Sequence, residues 1–239
     1  RSDYEIIVVN DHSEDNTLSV LIEIKAENLL VISLPEGITS KKEALKFGIE
    51  KAQYNIIAAT DADCILPNNW VKSIANNMNE NSDMLLGPVV FTKQQGFLNA
   101  FQQLDMMAMQ TFEFGMLAFN KPILNNGANL SFKKEKYNAV NGYDKYNTPS
   151  GDDVFLLEKF NRHQFKIKGL LNKDFIVETT ATNNITEFLQ QRIRWASKSK
   201  FYKGRFLQLI SIIIFSQNII QLFIYSQVLL SENFTNIYI

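Results

Sequence analysis

The sequence predicts an α/β fold built on a mainly parallel sheet. Three observations carry this. Short β-rich apolar runs recur at EIIVVN (5–10), LLVISL (29–34) and NIIAAT (55–60). Each run closes in polar or turn-forming residues and leads on to apolar residues at helical spacing. The connections are short, which favours parallel strands joined by right-handed crossovers.

The elements follow in order. EIIVVN ends in the polar group NDHSEDN, after which Leu18, Leu21 and Ile22 fall at helical spacing. LLVISL is closed by Pro35 and Gly37. Ser40 and Glu43 stand three apart ahead of Ala44, Leu45, Gly48, Ile49 and Ala52, a capping box that opens an amphipathic helix. NIIAAT is a third strand, 68–78 a third helix and DMLLGPVV (83–90) a fourth strand. The second half is less regular. Residues 96–118 form a Met- and Phe-rich helical stretch, of which 106–119 is either core or a surface resting against lipid. GANLSF (127–132) reads as a strand, 133–140 as a helix, NGYD (141–144) as a turn and 153–161 as a helix. FKIKGL and FIVETT read as strands, and a helix runs from about 184 through 203. No internal repeat and no dividing linker stands out.

Composition removes several function classes. The chain of 239 residues is 46% hydrophobic and 21% charged, which is globular rather than disordered. A net charge of −1 gives no basic field for nucleic acid. One cysteine, Cys64, excludes an internal disulfide framework and the usual cysteine-based zinc site. With two histidines, His12 and His163, any metal ligands are expected to be oxygens, which suits magnesium or manganese.

The two ends differ. Arginine stands first and a strand follows almost at once, so the chain reads as a fragment whose natural start is missing, with no secretory signal visible. From Phe206 to Leu230 no residue is charged, about the length that crosses a bilayer. Lys198, Lys200, Lys203 and Arg205 precede it, and basic residues flank the cytoplasmic side of membrane helices. The expectation is that residues 1–205 lie on the cytoplasmic side and that 206–239 form a membrane-spanning or membrane-associated segment. Gln208, Gln217, Asn218, Gln221 and Gln227 make that segment less oily than a typical single span, so a buried or interfacial helix is the alternative.

Four groups of residues can carry chemistry. Asp61 and Asp63 follow the third strand with one alanine between them. Like charges so close repel unless water or a cation stands between them, and hard oxygens suit a divalent ion shared with a diphosphate. The plainer reading is a solvated turn. Asp11 ends the first strand, where it can bond a nucleobase or ribose, or form an Asx turn on its own backbone. Both acidic groups follow strands directly and face the same edge of the sheet, the edge where such folds bind ligands. Asp152 and Asp153 open a helix, where acids cap free N–H groups, and where one of them can serve as a general base. In QRIRW, Gln191, Arg194 and Trp195 share a helix face. An arginine suits a diphosphate and a tryptophan face suits a sugar ring, while a basic helix approaching a membrane explains the same residues.

Taken in order, these pieces resemble the family 2 inverting glycosyltransferases, in particular the membrane-bound branch with cellulose-synthase-like and poly-N-acetylglucosamine-synthase-like enzymes. EIIVVNDHSEDNT is similar to the family's EIIVVDDGSTDNT segment. SKKEALKFGIEKAQYNIIAATDADCILPNNW is similar to its GKxxALNxGxxxAxGxxIxxxDADxxxxxxx segment. GANLSFKKEKYNAVNGYDKYNTPSGDDVFLLEKF resembles the acceptor-side segment that ends in an acidic pair, and QRIRW fits QxxRW. No single motif is specific, but the ordered set covers about residues 4–205.

The resemblance implies a nucleotide-diphospho-sugar transferase fold of the GT-A type, transfer from a nucleotide-diphosphate sugar to a saccharide or lipid-linked acceptor, and a magnesium or manganese cofactor. It implies that Asp11 contacts the base, that Lys41 lies near the nucleotide, and that Asp61 and Asp63 are the DxD pair, with Asp63 the direct metal ligand. Asp153 matches the proposed base and Asp152 its neighbour. Gln191 and Arg194 line the diphosphate channel, with Trp195 toward the acceptor. The sequence departs from the pattern at Ser40, where glycine is usual, at His12, where glycine is common, and in Gly-Asp-Asp for Thr-Glu-Asp; the family's first strand is absent. Two other functions stay open: a nucleotidyltransferase, which also sets metal-binding acids on a parallel sheet, and a non-catalytic membrane scaffold of the same fold.

Overall fold

The computed structural model describes residues 3–144 and 152–197, together with the isolated positions Ser216, Ile220 and Phe223. The chain forms two compact units, Arg1–Ile185 and Thr186–Ile239.

In the first unit, β1 (Ile6–Asn10) pairs in parallel with β2 (Leu29–Ser33) across α1 (Thr17–Glu23). Helix α2 (Lys41–Lys51) packs on β1 closely enough that a Cβ on Gly48 would stand 3.1 Å from Val9 Cγ2. The Ser40 hydroxyl accepts from Glu43 N at 3.3 Å, so half of the predicted capping box forms. The other half does not, because the Ser40 N–H donates to Asp11 instead.

Next come β3 (Ile56–Ala59), α3 (Trp70–Asn77), β4 (Met84–Leu86) and β5 (Val89–Phe91). The long helix α4 (Phe97–Ala118) leads to a short 3-10 turn, Gly127–Asn129, and then to β6 (Leu130–Lys133) and α5 (Lys134–Ala139). Helix α6 (Asp152–Arg162), β7 (Ile167–Gly169) and β8 (Val177–Thr179) complete the unit. The strands form a four-stranded sheet in the order β3-β6-β4-β7 and the pairs β1-β2 and β5-β8.

Among the described residues, three of the five strand pairings are parallel, β1·β2, β4·β7 and β5·β8. The other two arise because β6 inserts antiparallel between β3 and β4. Uninterrupted crossover winding from β3 to β4 is therefore corrected. The single strand expected over 83–90 is also corrected to two. Proline 88 has no N–H for a ladder, and a Cβ on Gly87 would stand 2.2 Å from Asn129 Nδ2 and 2.6 Å from Phe175 Cε1. The chain bends there and β5 leaves to pair with β8.

The alternation of β4 feeds two cores on opposite faces. Met84 and Leu86 join Leu130, Phe132, Leu156 and Phe160 beneath α6. Leu85 joins Trp70, Ile74, Val89, Phe175 and Val177 beneath α3. Asn129, fully buried, ties the second core together: it accepts from the Trp70 indole at 3.0 Å and donates to the carbonyls of Pro88 and Phe175.

Helix α4 is turned inside out. Its buried residues are Asn99, Gln102, Met106, Gln110 and Glu113, spaced three and four apart. Several of its apolar residues face outward, with Phe97 87%, Leu104 61% and Met107 60% exposed, while Met106 is buried and Phe114 and Leu117 pack against the first core. The polar face is well used. Gln110 Oε1 accepts from Val89 N at 2.7 Å and its amide donates back to Val89 O, so one side chain satisfies both backbone groups of Val89. Gln102 holds Thr182 in the same way, donating to its carbonyl at 3.0 Å and accepting from its N–H at 3.1 Å. The outer face borders a groove of about 840 Å³ lined by Val90, Leu104, Met107, Thr111 and Leu171.

Among the described residues no helix is long and apolar enough to cross a membrane. The span expected over 206–230 lies outside the described residues, apart from the isolated positions named above. Helix α7 (Ile185–Ser197) carries the QRIRW motif into the second unit.

Candidate functional site

The sheet gathers the acidic residues at one edge through register. In the antiparallel β3·β6 pair, Ala59 stands opposite Leu130. The chain therefore leaves β3 toward Thr60 and Asp61 beside the point where Gly127–Asn129 enters β6. The Gly127 N–H donates to Asp153 Oδ2 at 3.0 Å, which brings the start of α6 to that edge. Asp153 Oδ1 accepts from Val154 N at 2.9 Å. A Cβ on Gly127 would approach Asp153 Cβ at 3.3 Å, so the close fit depends on glycine.

The nucleotide-side residues form a linked chain. Asp11 Oδ2 accepts from Ser40 N at 3.1 Å, and the next residue, Lys41, pairs its ammonium with Asp61 Oδ1. The Asx-type turn expected as the alternative for Asp11 belongs to its neighbour: Asn10 Oδ1 accepts from Ser13 N at 3.2 Å. Asp11 Oδ1 is buried with no hydrogen-bond partner. His12 and Ser40 have φ of +54° and +135°, the left-handed region that favours glycine. These are the two positions where the family pattern has glycine.

Asp63 turns the other way from Asp61. Its Oδ2 accepts from the Thr179 hydroxyl at 3.4 Å, at the end of β8, and the adjacent Ile65 bridges to Glu178. Burial pushes the Cys64 thiol up from its ordinary value, so it stays protonated beside Asp63. Among the described residues no three carboxylate, histidine or cysteine side chains converge as a ready-made metal cage. Asp61 and Asp63 bring hard carboxylate oxygens to one loop, with Asp61 on Lys41 and Asp63 on Thr179.

The Asp152 side chain lies outside the described residues. On α7, Gln191 and Trp195 are half-buried and Arg194 is exposed. The Arg192 guanidinium lies 4.3 Å from the Trp195 ring centre and 4.7 Å from that of Phe188, so one face of the tryptophan is occupied.

Sequence reasoning passed over three side chains. Asn125 is buried with both side-chain polar atoms unpartnered. Asn126 closes the 3-10 turn by accepting from Ala128 N at 3.0 Å. Glu113 is 5% exposed, and its Oε1 has no hydrogen-bond partner. Burial, and then the charge of Asp153, push its carboxyl up to about 8. The legible signal was Gln110 and Glu113 three apart in a run otherwise rich in Met and Phe.

A mixed sheet with acidic loops at one edge and helices on both faces is the GT-A-like α/β glycosyltransferase fold. The chain belongs to glycosyl transferase family 2, whose model matches residues 1–139. A protein described as a probable glycosyltransferase of Sulfolobus acidocaldarius is 26% identical over 205 residues, 82% of this chain and 42% of that protein. The poly-beta-1,6-N-acetyl-D-glucosamine synthase of Staphylococcus aureus strain COL is 40% identical over 63 residues, 26% of this chain and 15% of that protein. Among solved structures, S. aureus TarS 1–349 in complex with UDP-GlcNAc aligns with a TM-score of 0.55 at 17% identity, covering 76% of this chain and 51% of that one. This chain thus matches about half or less of the length of these relatives.

Proposed function

We propose that this chain carries the donor and transfer site of an inverting glycosyltransferase. The enzyme moves a sugar from a nucleotide-diphosphate sugar to a hydroxyl of a saccharide or lipid-linked acceptor. Family membership supports the reaction class. The observation that carries the reading is the convergence of the Asp61–Asp63 loop and Asp153 at one sheet edge, through the Ala59–Leu130 register and the Gly127–Asp153 hydrogen bond. TarS, named in its structure with UDP-GlcNAc, has the same fold, which favours a uridine diphosphate sugar as donor.

Each residue then has a task. Asp11 keeps Oδ2 on Ser40 N and offers its unpartnered Oδ1 to the base or ribose. Lys41 neutralises Asp61 before the donor arrives and turns to the diphosphate afterwards. Asp61 and Asp63 would hold magnesium or manganese, which when bound supplies countercharge for the leaving diphosphate. Gln191 and Arg194 would bind the diphosphate, and Trp195 the acceptor. Asp152 supports Asp153 at the start of α6. Asp153 takes the proton from the acceptor hydroxyl. The acceptor oxygen bonds the anomeric carbon as the bond to the diphosphate breaks, and the diphosphate leaves with the electron pair. One in-line displacement inverts the anomeric centre. The apolar segment 206–230 with its preceding lysines holds the site on the cytoplasmic face of a membrane.

The test is release of nucleoside diphosphate by the full chain from a panel of nucleotide sugars. Asp153→Asn is expected to lower turnover by about two to four decades, the usual worth of a positioned base, with donor affinity nearly unchanged. Near-normal turnover in that variant removes Asp153 from the base role. Release of pyrophosphate instead of the diphosphate would identify a nucleotidyltransferase.

A further inference from the structure

We propose that the outer face of α4 docks on a lipid bilayer, as an interfacial contact that lies among anionic headgroups and does not span. The proposal needs neither the transfer reading nor the segment 206–230.

Helix α4 has 22 residues, which at 1.5 Å each makes it about 33 Å long. Every exposed residue along it is apolar except Thr111. Phe97, Phe101, Leu104, Ala108 and Thr111 follow one another at three or four residues, so they form one stripe. The Phe97 and Phe101 rings stack at 6.5 Å. The Thr111 hydroxyl donates to the Met107 carbonyl at 2.8 Å, so its proton is spent inside the helix, as suits an apolar surrounding. The two acids of α4 keep off the stripe: Glu113 is buried and Asp105 half-buried. The apolar face continues beyond the helix. Val90 and Leu171 border the groove beside it, and Val90 also lines a neighbouring hollow with Ile65 and Leu66. Single exposed apolar residues are ordinary, but a contiguous face of this length marks a contact surface.

Charge selects the occupant. Exposed lysines stand at both ends of the helix: Lys93 shortly before Phe97, and Lys121 just after Phe119. Lys173 lines the neighbouring hollow, where Glu178 is the exposed acid. A second copy of the chain fits this pattern badly. Two copies packed along α4 would set lysine against lysine at the helix ends, whether the helices run parallel or antiparallel, and like charges so placed suppress pairing. Anionic headgroups meet both ends with opposite charge, and the upper acyl region takes the stripe between them. The exposed Met107 and Met109 adapt their shape to such a fluid surface. Docked in this way, the bilayer surface extends to Ile65, two residues past Asp63.

The experiment uses the full chain in vesicles of phosphatidylcholine mixed with phosphatidylglycerol. On a Cys64→Ser background, a nitroxide is attached through Leu104→Cys, through Ala108→Cys or, on α5, through Asn138→Cys. All three side chains are exposed, so the labels spare the core. Electron paramagnetic resonance then compares collisions with oxygen, which collects in hydrocarbon, and with a water-soluble nickel chelate. The labels on α4 are expected to favour oxygen, at a depth of about 5–10 Å, and the label on α5 to favour nickel. An apolar segment elsewhere in the chain can hold the protein on the vesicle but does not immerse these labels. Lys93→Gln and Lys121→Gln should each lower the ratio of immersed to exposed signal from α4 about fivefold. Nickel access on α4 equal to that on α5 overturns the proposal. Shielding from both reagents overturns it too: with dipolar broadening between labels a second copy covers the face, and without broadening another part of this chain does. A ratio unchanged in both lysine variants overturns the choice of an anionic surface.

Discussion

Replacing Asn129 with alanine tests the packing that holds the site's floor. The side chain is fully buried and joins three segments: the Trp70 indole from α3, the Pro88 carbonyl at the bend between β4 and β5, and the Phe175 carbonyl ahead of β8. Alanine orphans the indole N–H and the Phe175 carbonyl. The Pro88 carbonyl keeps Val177 N at 3.0 Å and suffers less. Two buried groups left unpaired at about 1–3 kcal/mol each make a loss of about 3–4 kcal/mol. That is a large part of the roughly 5–15 kcal/mol typical of a folded domain. Urea unfolding at neutral pH, followed by near-UV circular dichroism, measures it. Asn129→Asp should be worse than alanine, since it keeps the acceptor for Trp70 but turns a negative oxygen on two carbonyls. Combining Asn129→Ala with Trp70→Phe should give a coupling of about 1–2 kcal/mol. A loss below about 1 kcal/mol for Asn129→Ala would refute the idea that this amide organises the core.

Other expectations follow from the same geometry. Asp63→Ala should weaken manganese-dependent nucleotide binding in calorimetry, and unchanged affinity would count against Asp63 as a ligand. Glu113 bears on stability. Unfolded, it ionises near 4.5; folded, it holds its proton to about 8, so the folded state binds the extra proton and stability falls as pH rises between those values. Denaturation at pH 5 and pH 8 should show this fall shrinking in Glu113→Gln by up to about 4 kcal/mol, since each unit is worth about 1.4. Gln110→Leu should destabilise by about 2–4 kcal/mol, because both the N–H and the carbonyl of Val89 lose a buried partner.

Much of the first unit could be read from local pattern. The runs at 5–10, 29–34 and 55–60 are β1, β2 and β3 because apolar β-formers end at polar turn residues. Ser40 opens α2 as its spacing to Glu43 implied. One rule about strand ends put Asp11 and the Asp61–Asp63 loop at the same edge; Lys41 entered only through the family resemblance, and its ammonium meets Asp61. What local pattern could not show was pairing between distant segments. Nothing in Leu130–Lys133 announces that it will lie between β3 and β4 and run against them. The break at Gly87–Pro88 was visible as a turn dipeptide, yet the apolar residues on either side outweighed it. Glu113 was hidden for a different reason: nothing local in a Met- and Phe-rich helix shows which of its polar residues folding will bury.

An inverted α4 separates two properties that usually share a surface. Foldedness depends on the amides that grip Val89 and Thr182, while stickiness depends on Phe101, Leu104 and Met107 outside. Someone seeking a better-behaved preparation would rewrite the oily outer residues in lysine and glutamate and spare the inner glutamines. A rule that trusts hydrophobic residues to mark the interior would alter the wrong side of this helix.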